Sequence, residues 1–187
     1  MDIKKIVVIT CVLLVSSFGF AKSPSYEKDL KRWTRHGQVY AWDNFEARLI
    51  WNATYLSDDF RASQRQKLAG LYEWTDGELS RHVREDGEES RRMDVFILSI
   101  YAGSSEFPEV GKEDGKWRAV LETNGGRVVE SEKFERTPIT QVERTLYPYL
   151  DKWSQLYRVS FPKSLHGDSF RLRLTGMPAR SELVWRP

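Results

Sequence analysis

Hydrophobic and polar positions alternate strictly from residue 45. Phe45, Ala47, Leu49, Trp51, Ala53 and Tyr55 share one parity, and Glu46, Arg48, Ile50, Asn52, Thr54 and Leu56 the other. A period of two predicts a long β-strand with one well-buried face. The pattern changes at Ser57, a helix N-cap followed by Asp58 and Asp59 where the helix dipole favours anions. Phe60, Gln64, Leu68, Leu71, Tyr72 and Thr75 then fall near one helical face. Thr75 and Glu78 have the spacing of a capping box and start a second helix through Leu79 and Val83. Residues 57–92 therefore read as two helices, an αα-hairpin inserted between strands.

Strands resume at Asp94. Val95–Tyr101 is apolar on both faces, as in a central strand. Trp117–Leu121 and Arg127–Val129 flank Thr123-Asn124-Gly125-Gly126, a hairpin signal. The stretch 134–144 reads as irregular or extended. Tyr157, Val159 and Phe161 alternate with polar residues, as do Phe170, Leu172 and Leu174. Gly176–Arg180 makes a turn, and Leu183 with Trp185 closes a last strand. About seven strands and one helical insertion predict a mainly β fold, an antiparallel immunoglobulin-like β-sandwich. A lipocalin-like barrel is the structural alternative.

The N-terminus follows another rule. Lys4 and Lys5 precede the apolar run Ile6–Phe20, and Gly19 and Ala21 are small residues two apart. This predicts a secretory signal peptide over 1–21, cleaved near Ala21. The run is shorter than the roughly 20 residues a membrane-spanning helix needs. The rest, 22–187, reads as a single domain, periplasmic or secreted, with no transmembrane segment. The chain's one cysteine, Cys11, lies in the leader. The mature part is thus expected without disulfide, thiol nucleophile or thiolate metal site, held by its core alone. The full chain has 29 basic and 27 acidic residues; without Lys4, Lys5 and Asp2 the mature part keeps 27 and 26, formally +1, without the one-signed excess of a nucleic-acid binder.

Candidate chemistry is sparse. His36, His82 and His166 lie in three separate segments. His82 and Glu85 form one pair, short of the ligands a zinc site needs. Gly103-Ser104-Ser105 follows a central strand without a Gly-x-Ser-x-Gly elbow, and His166-Gly167-Asp168 resembles a turn. Asp58 with Asp59, Glu85 with Asp86 and Glu88 with Glu89 sit in charged stretches and read as capping and solubility. Gly111–Gly115 lacks the spacing of a calcium loop. The mixed run Arg81–Arg92 is explained by ion pairs along a helix. No cofactor and no metal site is expected.

Aromatic residues are the remaining signal. Leu146–Pro162, LYPYLDKWSQLYRVSFP, carries five rings. Tyr157 and Phe161 read as core, Tyr147-Pro148-Tyr149 as a loop whose tyrosine caps a sandwich corner through its hydroxyl, and Trp153 as a cover for the end of the core. Trp33, Tyr40 and Trp42 read as an N-terminal segment tucked against the sandwich, or as a ring cluster for a ligand.

With WNATYLSDDFRAS (Trp51–Ser63) and FRLRLTGMPARSELVW (Phe170–Trp185), this segment resembles small bacterial envelope proteins without assigned activity. The resemblance implies an exported sandwich with a helical insertion and carries over no catalytic or binding residue.

Three functions are weighed. The first is an exported, non-catalytic module that binds an envelope or extracellular component, anchored by Tyr72 and Trp74. Sealing the insertion onto the sheet is the simpler role for the same pair. The second is a carrier holding a lipid or sugar between helices and sheet, in a cavity lined by Trp51, Tyr55, Phe60 and Leu68. The third is a hydrolase, requiring a histidine to meet a serine or carboxylate in a cleft.

Overall fold

The computed structural model describes residues 25–43, 45–102, 117–165, 169–176 and 179–186. The leader, Gly103–Ser105, Gly111–Gly115 and His166–Asp168 lie outside them.

The described chain is mainly β, with nine strands in two antiparallel sheets. One sheet has the order β1 (Thr34–Tyr40), β2 (Ala47–Tyr55), β3 (Met93–Ala102), β7 (Gln155–Pro162), β6 (Lys133–Thr137). The other has the order β5 (Val128–Glu130), β4 (Trp117–Thr123), β8 (Phe170–Gly176), β9 (Arg180–Trp185). Four helices are added: α1 (Tyr26–Trp33), α2 (Asp58–Tyr72), α3 (Asp76–Arg92) and α4 (Gln141–Leu146). The inserted hairpin α2–α3 joins β2 to β3, as the sequence predicts.

The two sheets face each other across an aromatic interior. Register places Tyr55 opposite Phe96, and Phe96 opposite Val159. From the other sheet come Phe170 and Trp185, whose rings stack at 5.0 Å. Phe96 meets Phe161, Phe170 and Trp185 edge-on at 5.6–5.9 Å. Such tilted and offset pairs suit the ring quadrupoles and add to the burial of large apolar area. Trp51, Tyr157 and Phe170 all point inward, as alternation predicts.

Phe45 does not. The strand begins at Ala47, and Phe45 sits at φ 57° in the β1–β2 turn, 82% exposed. The turn is closed by the Ala41 N–H donating to the Glu46 carbonyl at 2.8 Å. Positive φ rotates the side chain out of the strand's alternation.

Other expectations are also corrected. Residues 34–40 form a strand, with Trp33 buried but Tyr40 and Trp42 exposed. The stretch 133–146 forms β6 and α4, the latter opened by a full capping box from Thr140 and Glu143. Trp153 is exposed rather than covering the core. The hydroxyls of Tyr147 and Tyr149 meet side chains rather than backbone, Tyr147 accepting from Gln64 Nε2 and Tyr149 bonded to Thr54 Oγ1, each at 2.8 Å. A tyrosine hydroxyl does reach backbone nearby, but from Tyr26, which donates to the Leu146 carbonyl at 2.5 Å.

The sheets also approach along one edge. β1 runs beside β9, where Arg35 Nε donates to the Val184 carbonyl at 3.0 Å. Trp51 Nε1 reaches Ser181 Oγ at 3.0 Å across the backbone of Gly37. A Cβ at Gly37 would lie 2.5 Å from Trp51 Nε1, so the seam requires glycine there.

Candidate functional site

The hairpin α2–α3 is fastened at its base and free at its tip. Ser57 caps α2 by accepting from the Phe60 N–H at 3.2 Å. Phe60 then packs on Tyr26, ring centroids 5.6 Å apart. Arg61 is buried, its Nε donating to the Leu56 carbonyl at 3.0 Å and its Nη1 to Glu89 at 2.7 Å. Glu89 also accepts from Arg158 on β7 at 2.6 Å. Arg65 pairs with Asp86 at 2.5 Å. This ion network ties both helices to the outer side of the larger sheet. Burial alone would raise the Glu89 carboxyl, but Arg158 and then Arg61 more than offset it, and the group titrates below its ordinary value.

Beyond this base the hairpin has no core. No residue from Gln64 to Met93 is buried. α3 is held by its Thr75–Glu78 capping box and by charge along its length. At the tip, Glu73 adopts a left-handed conformation, φ 50°, and ends α2. Three rings line up there. Tyr72 and Trp74 lie parallel with centroids 6.2 Å apart, and Trp74 stacks on His82 at 4.0 Å. Leu71, Tyr72 and Val83 are exposed, Tyr72 at 54%. Trp74 is half-buried, and His82 lies 3.2 Å from Glu85. The helical face expected to bury Leu71 and Tyr72 turns to solvent once α2 passes Leu68.

The other proposed site residues lie elsewhere. Trp51 and Tyr55 belong to the interior between the sheets, and Phe60 to the seam between α1 and α2. Leu68 is partly buried against the core. A side chain lining an open hollow keeps accessible surface, and Trp51 and Phe60 keep none. The four therefore do not converge on a shared opening. A shallow cleft where β4 ends, β8 begins and β9 ends is lined by Glu122, Asn124, Phe170, Arg171 and Val184. Its charged members are mutually paired, Arg171 lying 4.0 Å from Glu122 and 3.7 Å from Glu182.

His36 sits on β1, its Nδ1 3.1 Å from Asn52 Oδ1, away from His82 on α3.

One polar cluster escaped the sequence entirely. The Asp94 carboxylate is buried at the start of β3. It accepts from Tyr55 OH at 3.0 Å, Lys163 Nζ at 2.9 Å, and the N–H groups of Ser164 and Leu165 at 2.7 and 2.9 Å. Every strong donor it faces is satisfied, so it pins the loop after β7. Its partners lie 39 to 71 positions away in sequence, where no local pattern links them.

Compared with protein-family models, curated proteins and solved structures, the chain matches none.

Proposed function

We propose that the chain is an exported, non-catalytic, immunoglobulin-like β-sandwich that binds another envelope or extracellular component through the tip of its α2–α3 hairpin. Strand order supports the fold reading. With β1 set aside as an added edge, β2-β3-β7-β6 opposite β5-β4-β8-β9 follows the order A-B-E-D opposite C′-C-F-G. The hairpin then occupies the A–B connection. The charged start and apolar run of residues 4–20, ending in small residues at 19 and 21, support export. Cell fractionation and the intact mass of the recovered protein test it, since cleavage after Ala21 leaves a chain beginning at Lys22.

The binding reading rests on the ring stack of Tyr72, Trp74 and His82. Ordering a 35-residue connection (58–92) costs conformational entropy that its own burial does little to offset. The rings at its turn seal nothing onto the sheet, because Tyr72 stands in solvent and the interior ends below it. Aromatic anchors of this kind carry a large share of interface energy. The test is capture from envelope extract by the wild-type chain and by Tyr72→Ser/Trp74→Ser. A partner retained by the first and lost from the second, with melting temperature unchanged, supports the reading. Equal capture by both chains overturns it.

A further inference from the structure

At the opposite end of the larger sheet a second set of rings stands in solvent. β2 begins there, β3 ends there and β7 begins there, as the pairs Leu49–Ala102 and Ile100–Gln155 fix. Two separate turns project from this end. The β1–β2 turn carries Trp42, 98% exposed, and Phe45, 82% exposed. The turn before β7 carries Trp153, 65% exposed. Both turns are built to present these rings. Asp151 Oδ1 accepts from the N–H groups of Trp153 and Ser154 at 2.8 and 2.7 Å and from Ser154 Oγ at 2.9 Å, which fixes the second turn. In the first, Phe45 holds a left-handed φ that costs a non-glycine residue energy and points its ring outward.

We propose that this end docks on the headgroup region of a lipid bilayer, with Trp42, Phe45 and Trp153 inserted. The shape argues for lipid over protein. A protein partner meets a continuous patch whose central residues are already partly packed. Here the turns are separated by the width of β2, β3 and β7, and Trp42 touches almost nothing of its own chain. A fluid layer closes around isolated projections without needing a matching surface. Tryptophan prefers that depth, where its ring meets acyl chain and its N–H meets headgroup. Charge agrees. Arg48, Arg136, Lys152 and Arg180 are exposed on the strands and turns of this end, against Asp43, Glu46 and Asp151, a small positive excess. The ammonium of Lys152 lies 4.8 Å from the Trp153 ring, placed to reach lipid phosphates as the ring enters.

The inference stands apart from the hairpin tip, and one experiment separates them. The mature chain is sedimented with vesicles of phosphatidylcholine, and of phosphatidylcholine doped with phosphatidylglycerol. Binding to both is expected, tighter on the doped vesicles. Trp42→Ser/Phe45→Ser/Trp153→Ser should lower it by about tenfold or more, since affinity follows the apolar area inserted. All three side chains are exposed, so the variant's melting curve should match wild type. Tyr72→Ser/Trp74→Ser should bind vesicles as wild type does. The proposal is overturned by a wild-type chain that ignores both vesicles, by binding that survives the rim substitutions, or by rim-dependent capture of a protein without lipid binding.

Discussion

The interior between the sheets and the inserted hairpin use the same residue types to opposite ends. Trp51 and Trp74 show it most directly. Trp51 has no accessible surface, and its one polar atom is bonded across the seam to Ser181. Trp74 rests on His82 at a turn, with Tyr72 beside it in solvent. In the interior, rings from two sheets hold each other and the fold follows from their burial. Beyond Phe60, a capping box and ion pairs hold the hairpin's helices, and the rings at the tip fasten nothing to the sheet. A tryptophan is structural or available according to whether a second layer lies over it.

Substitutions can sharpen or break that contrast. Trp51→Ala should cost about 4 kcal/mol in urea unfolding, the usual loss for a large buried ring. Trp74→Ala should cost less than about 0.5 kcal/mol, as for surface sites. Equal effects would end the distinction. Next comes Asp94→Ala, which strands two backbone N–H groups and the Tyr55 hydroxyl. We expect about 3 kcal/mol, read as a lower denaturation midpoint with unchanged slope. Gly37→Ala should cost about 2 kcal/mol through overpacking against Trp51. Gly37→Ala/Trp51→Phe, which removes the clashing nitrogen, should recover part of that loss.

The smallest effect is local and depends on pH. Glu89 titrates below its ordinary value of 4.5, so near that pH the unfolded chain binds more protons than the native one. Its contribution is complete above about pH 4.5 and is lost as pH falls through the native value. Protection factors of α3 amides, corrected for the slower intrinsic exchange at low pH, should therefore fall in mild acid while those of β3 and β7 hold. Simultaneous loss of protection in all three would show that the hairpin and the sandwich open together.

Much of the fold was legible because burial imposes period two or a cap. Residues 47–55, the 117–129 hairpin and both caps of the insertion follow from local pattern alone. β1 was not legible. Thr34–Tyr40 is half-buried at an edge, and Gly37 replaces the inward side chain that alternation needs. Phe45 misled for a related reason, since parity says nothing about a left-handed turn. Nine strands stand where about seven were expected, because β1 and the short β6 carry little apolar signal. Tyr72 and Trp74 were visible as candidates, but only the path of the hairpin beyond Leu68 shows that no layer covers them. Asp94 was invisible, its ligands being assembled by the loop after β7.

Trp185 closes the interior against Phe96 and Phe170, and its indole N–H donates to the Trp33 carbonyl at 2.8 Å, across 152 positions. A chain emerging from the ribosome therefore has no lid for its oily centre until β9 is made. Contacts of such long range form late. If the chain is exported as we propose, that delay keeps it loose enough to be threaded through a translocation channel.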